Sequence, residues 1–247
     1  MTIIDYIKKE HANIKERPKK ERWQYFWDYY KWHVIITVLV IALLIQLVAG
    51  IVNQKEMVFS GALLNCMIAI EDDAFMQGFY DRTGIDSATQ EVGFYTNLIL
   101  KDGNNPNDPD TIQQIMASVA IKELDFIVGQ TDSFRVCAYN TSRIFMDLRT
   151  FLDAETLEKY SDRLYYIDRA VQQQLDAPLG VTPAPIEYPD PTKPENMKDP
   201  VPVGIDISDC KNFQSAYYFP NTTLYIGVIA NTPRPELTRQ FIDYLFA

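Results

Sequence analysis

Histidine is absent from residue 34 to the C-terminus; the chain's two, His11 and His33, lie before that point. This removes Ser-His-Asp triads, Cys-His dyads and nearly all zinc sites from the larger part of the molecule, because each needs an imidazole as base or ligand. Glycine is sparse at ten residues in 247, and past the N-terminal segment none of it forms a phosphate-cradling loop or flanks a serine as in a nucleophile elbow. The three cysteines, Cys66, Cys137 and Cys210, are odd in number and widely spaced, so at most one disulfide can form and buried free thiols are the expectation. Charge is missing altogether from Val34 to Val52, and of the twenty residues that follow only Lys55 is basic. No internal repeat is visible.

The uncharged run "VIITVLVIALLIQLVAGIV" is the strongest single feature present. As a helix its nineteen residues would measure about 28 Å, close to the hydrocarbon thickness of a bilayer, and they predict one transmembrane helix over 34–52. All three tryptophans abut it in "ERWQYFWDYYKWH", and Trp23, Trp27, Tyr30 and Trp32 are assigned to the membrane interface, where rings with an apolar body and a polar tip collect. Residues 1–33 carry eight basic and five acidic side chains, a formal +3; the remainder carries fifteen and twenty-eight, a formal −13. The positive-inside rule then places the N-terminus in the cytoplasm and the rest outside. A cleaved signal peptide is the competing reading of this segment, with "VAG" (48–50) as a cleavage site, but the apolar stretch is long and the arm before it longer than usual. Residues 1–33 form a basic, aromatic arm, and Ile3, Ile4, Ile7 and Ile14 fit a short helix on the inner leaflet as well as they fit a solvated tail. An acidic outer domain excludes nucleic acid as its partner by repulsion.

Residues 55–247 alternate strand-like and helix-like runs, which predicts an α/β domain with a mostly parallel sheet flanked by helices. Strands are expected near 57–70, 91–100, 124–129, 143–148, 203–208 and 223–231. Helices are expected near 71–85, 109–122, from 130, over 153–175 as one or two pieces, and over 234–247. The stretch 178–202 holds eight prolines, which forbid helix and sheet interior alike, and is read as an extended surface excursion or a lobe connector.

Within this frame "GQTDSF" stands out, because a strand delivers Gln130, Thr131, Asp132 and Ser133 to the carboxyl edge of the sheet, where ligands of open α/β folds sit and helix-start N–H groups are exposed. Helix capping by Thr131 or Asp132 explains the same letters locally. Asn65 and Glu71 at the first strand–helix junction are weaker ligand-binding candidates. In "DGNNPNDPD" (102–110), oxygen ligands for calcium compete with a capping role for Asp108, which the missing EF-hand spacing favours. Tyr217, Tyr218 and Phe219 are expected in core and hairpin packing, and Asn140 and Asn221 sit in glycosylation-type triplets. No metal site, catalytic residue or cofactor is expected.

"YIGVIANTPRPELTRQFIDYLF", "KELDFIVGQTDSF" and "FMDLRTFLDAETLEKY" together resemble the closing and middle segments of bacterial extracytoplasmic solute-binding proteins of the two-lobed, periplasmic-binding-protein type. That resemblance implies hinged α/β lobes that close on a ligand and pass it to a transporter. Fewer than two hundred residues past the span, and prolines where much of a second lobe belongs, imply a reduced second lobe. The expected function is a single-pass, membrane-anchored, non-catalytic binding protein for a small molecule, associated with a transporter or another envelope protein. The alternatives are an interaction or assembly module without a small-molecule ligand and, more remotely, a hydrolase built from paired carboxylates.

Overall fold

Pro18 immediately precedes a helix that runs unbroken from Lys19 to Val52, α1. Proline suits the entry to a helix, and the segment holds no other proline and no glycine before Gly50. At about 1.5 Å per residue its 34 residues extend about 51 Å, so the aromatic arm from Lys19 and the apolar stretch are one rod. Tyr30–Gly50 is long and apolar enough to cross a bilayer, and none of it is buried against other protein. Trp23, Trp27, Tyr30 and Trp32 all project from the helix exposed, the first three sharing one face by their spacing.

The computed structural model describes residues 18–52, 54–69, 73–101, 108–139, 143–175, 186–220 and 223–247. The chain divides into two units, Met1–Gln54 and Lys55–Ala247. The isoleucines of the first seventeen residues, Glu71, loop 102–107, Asn140 and Asn221 lie outside the described residues.

In the second unit the chain runs β1 (Glu56–Leu63), β2 (Ile68–Ala69), α2 (Asp73–Thr83), β3 (Gln90–Tyr95), α3 (Asp108–Ala120), β4 (Phe126–Gln130) and α4 (Thr131–Ala138). It continues with α5 (Leu148–Phe151), α6 (Ala154–Lys159), β5 (Leu164–Asp168), α7 (Arg169–Leu175), β6 (Pro200–Asp206), α8 (Lys211–Ala216), β7 (Tyr217–Tyr218), β8 (Leu224–Val228) and α9 (Pro235–Leu245). Six strands form one sheet in the order β3-β1-β4-β8-β6-β5, and β2 pairs with β7 in a separate ribbon.

The central strands carry apolar runs rather than alternation because both faces are covered. Phe126 faces a cluster with Phe59, Phe79 and Phe241, while Ile127 faces the opposite cluster with Phe134, Tyr165 and Tyr225. The rings of Phe126 and Phe241 stack at 4.7 Å and those of Phe134 and Phe145 at 4.8 Å. Glycine makes room for them: a Cβ on Gly204 would lie 2.6 Å from the Phe134 ring, and one on Gly61 would lie 2.2 Å from that of Phe126. Cys137 and Cys210 are buried free thiols pushed up to about 12 by desolvation, and Cys66 is half-buried and joins no disulfide among the described residues.

The α/β class with flanking helices holds, but the sheet is mixed rather than mostly parallel. β1 runs parallel to β3 and β4, whereas β4–β8, β8–β6 and β6–β5 are antiparallel. A parallel return needs a crossover helix long enough to carry the chain back along the strand. α2 and α3 do this with eleven and thirteen residues; α4, α5 and α6 have only eight, four and six.

Three local expectations also change. The strand expected near 143–148 is only an isolated bridge, Phe145 opposite Ile229, before α5 begins at Leu148. Residues 153–175 contain β5 between two short helices, because Leu164, Tyr165 and Ile167 are buried on both faces of the sheet. The proline-rich stretch ends inside the sheet as β6. Pro200 opens that strand, and Pro202 sits where β6 has no partner on its β8 side, since those two strands meet only at Ile205 and Asp206. A proline lacking an N–H loses nothing there.

Candidate functional site

β1, β3 and β4 point their carboxyl ends the same way, and their connections leave on opposite faces. Phe75 and Phe79 of α2 join one core cluster, and Ile115 and Val119 of α3 join the other. Where such connections diverge, the strand ends are left uncovered. β8 and β6 extend this edge, because Gln130 lies opposite Leu224 while Tyr225 lies opposite both Gly129 and Asp206.

At the end of β4, Gln130 occupies the position before the first turn of α4 without capping it through its side chain. Its Nε2 is buried and finds no hydrogen-bond partner among the described residues, an expensive condition for an amide donor. The Thr131 side chain lies near enough to the Tyr225 phenol to favour its ionised form. The Ser133 hydroxyl is buried and donates to the Gln130 carbonyl at 3.1 Å. Asp132 faces solvent and pairs with Arg135 one turn on, at 2.9 Å. Neither Thr131 nor Asp132 is the capping residue, so local capping does not account for "QTDS".

Asn65 is engaged elsewhere. Its backbone is left-handed (φ 59°), and its side chain copies a strand partner, Nδ2 donating to the Leu100 carbonyl at 2.7 Å and Oδ1 accepting the Leu100 N–H at 2.9 Å. That pins the stretch after β3 beside the end of β1. Asp108, within the first turn of α3, accepts the Lys101 N–H at 3.1 Å and is fully buried. Among the described residues no three His, Cys, Asp or Glu side chains come together as a metal site. Tyr217 and Phe219 are core, whereas Tyr218 is 54 % exposed.

Where β8, β6 and β5 meet this edge there is a cleft of about 280 Å³ whose lining includes Tyr225, Asp206, Tyr166, Arg163 and Thr192. The proline-rich stretch supplies one wall and is clamped in place. Tyr188 packs tilted against Tyr139 with ring centroids 4.8 Å apart, Tyr166 N–H donates to the Pro191 carbonyl at 2.9 Å, and Asp190 accepts the Thr192 N–H and hydroxyl at 3.0 and 2.8 Å. Those Thr192 donors, with Lys193, hold the Asp190 carboxyl down at about 2. Burial, reinforced by the Asp206 and Asp190 carboxylates and opposed by Thr131, pushes the Tyr225 phenol above its usual range. Arg163 is bound by Asp209 at 2.7 Å, with Asp162 at 3.8 Å.

None of the residues singled out from the sequence lines this cleft, and Tyr225, Asp206, Tyr166 and Arg163 were missed. Tyr225 reads as one more apolar strand residue, and Tyr166 and Arg163 fall in a stretch that reads as helix. The one local signal was Asp206-x-Ser208, whose aspartate accepts the Ser208 N–H at 2.8 Å and so marks a turn at a strand end. No protein-family model, curated protein or solved structure matches the chain.

Proposed function

We propose that this is a single-pass membrane protein whose outer domain, residues 55–247, binds a small polar molecule at the carboxyl edge of its sheet without transforming it. α1 is the anchor, with the basic arm in the cytoplasm and Trp23, Trp27, Tyr30 and Trp32 at the interface. The domain is read as a one-lobed, reduced relative of the solute-binding proteins its segments resemble, working beside a transporter or another envelope protein. The observation that carries this reading is the cleft between the sheet edge and the proline-rich wall, lined by Tyr225, whose phenol has Thr131 nearby. Gln130 adds a buried donor that has no partner among the described residues at the same strand end. The absence of histidine beyond His33 favours binding over chemistry.

The test is thermal unfolding of the full chain in nanodiscs against sugars, amino acids, short peptides and small ions. A ligand at a hundredfold excess over its Kd raises Tm by roughly 5–10 °C for a domain of this size, and Thr131→Val weakens the response. A melting curve unmoved by every compound would defeat ligand capture. It would favour the second reading, an assembly module docking through Met67 and Tyr218, neighbours on the β2–β7 ribbon that are 67 % and 54 % exposed.

A further inference from the structure

We infer that the cleft floored by Tyr225 selects a small organic cation, an amine or quaternary ammonium; the inference rests on the binding reading above. The charges around the cleft do not cancel. Arg163 is taken up by Asp209 at 2.7 Å, and Lys193 at the rim by Asp190 at 3.0 Å. Asp206 has no such partner: its Oδ1 accepts the Ser208 N–H and hydroxyl, and no hydrogen bond or ion pair reaches its other oxygen among the described residues. One carboxylate oxygen is therefore left to a ligand, beside a second lining carboxylate, Asp162.

Tyr166 and Tyr225 add phenol rings to the same lining. A ring face attracts a cation by its quadrupole, more strongly once water is displaced. An anion would meet Asp206 and Asp162 with both nearby cations already neutralised. A neutral polyol would leave the carboxylate oxygen desolvated without a counter-charge. The volume lies below the roughly 300–1,000 Å³ of drug-sized pockets, which limits the ligand to a few carbons around its nitrogen. The formal −13 of the chain beyond residue 33 concentrates cations near the domain at low salt.

The experiment compares choline and putrescine with 3,3-dimethyl-1-butanol, the neutral carbon isostere of choline, and with acetate, by calorimetric titration of the full chain in nanodiscs. At least one cation binds, at least tenfold more tightly than isostere or acetate, and weakens as sodium chloride is raised. Asp206→Asn keeps an oxygen for Ser208 but removes the charge, and cuts cation affinity at least tenfold. Should that variant melt early, Thr192→Lys serves instead, placing an ammonium at the rim and abolishing cation binding. Equal affinity for choline and its neutral isostere, or full affinity in a folded variant of either kind, overturns the inference. If sugars or anions bind while cations do not, this inference alone falls; if nothing binds, the proposed function falls with it.

Discussion

A carboxylate cut off from water stays charged only if donors replace the water, and Asp168 has three. The residue is 5 % exposed, and it accepts the N–H groups of Lys198 at 2.9 Å, Asp199 at 3.0 Å and Ala170 at 3.0 Å. Burial opposes the charge, but those donors outweigh it and hold the carboxyl below its ordinary range. A depressed folded pKa means that the stabilisation is complete above the unfolded value of about 3.9 and is lost as pH falls through the folded value. Asp168→Asn, which turns an amide N–H₂ toward one of these donors, should cost about 1–3 kcal/mol at pH 7. Its urea midpoint should then fall less steeply than that of the parent below pH 4. Little of this was legible in advance. An asparagine at a strand end suits a ligand contact or a backbone partner, and only the position of Leu100 reveals that the Asn65 side chain bonds the backbone.

The C-terminal segment was the most legible element, and its motif turns out to be a clasp. "NTPRPE" leads into α9, with Pro235 in the first turn as expected. Asn231 donates to the Val119 carbonyl at 2.8 Å, and the Arg234 Nε donates to the fully buried Asp125 at 2.9 Å while its other nitrogens reach the carbonyls of Met57 and Glu123. Burial pushes the Asp125 carboxyl up, against the pull of Thr232, the Ser60 N–H and Arg234. Arg234→Met should cost about 3–5 kcal/mol in urea unfolding, because it strands that carboxyl in the interior. Arg234→Lys should recover only part, since an ammonium cannot reproduce the fork of donors. With the arginine gone the carboxyl rises further, so the deficit of Arg234→Met should shrink as pH is lowered from 7 toward 5. β5 and β6 were harder to foresee: aromatic-rich "LYYID" suits a helix face nearly as well as a strand buried on both sides, and the prolines of β6 argued against it until its neighbours were known.

Over the full chain, charge and hydropathy divide sharply at one boundary, +3 up to residue 33 and −13 beyond it, where the uncharged run 34–52 begins. On the proposed orientation, protease added to intact cells should remove a C-terminal tag and leave an N-terminal one, and the polypeptide should resist carbonate extraction. A protected C-terminal tag would place the acidic domain inside and sink the assignment. One long apolar helix near the N-terminus, the α/β class and most helices could be read from the letters, because periodicity, hydropathy and charge are properties of neighbours along the chain. Strand direction, the late entry of β6 and β8 into the sheet, and the meeting of Thr131, Asp206 and Tyr225 at one edge depend on which strands pair. Pairing is chosen by burial of both sheet faces among residues far apart in sequence, and no local pattern encodes it.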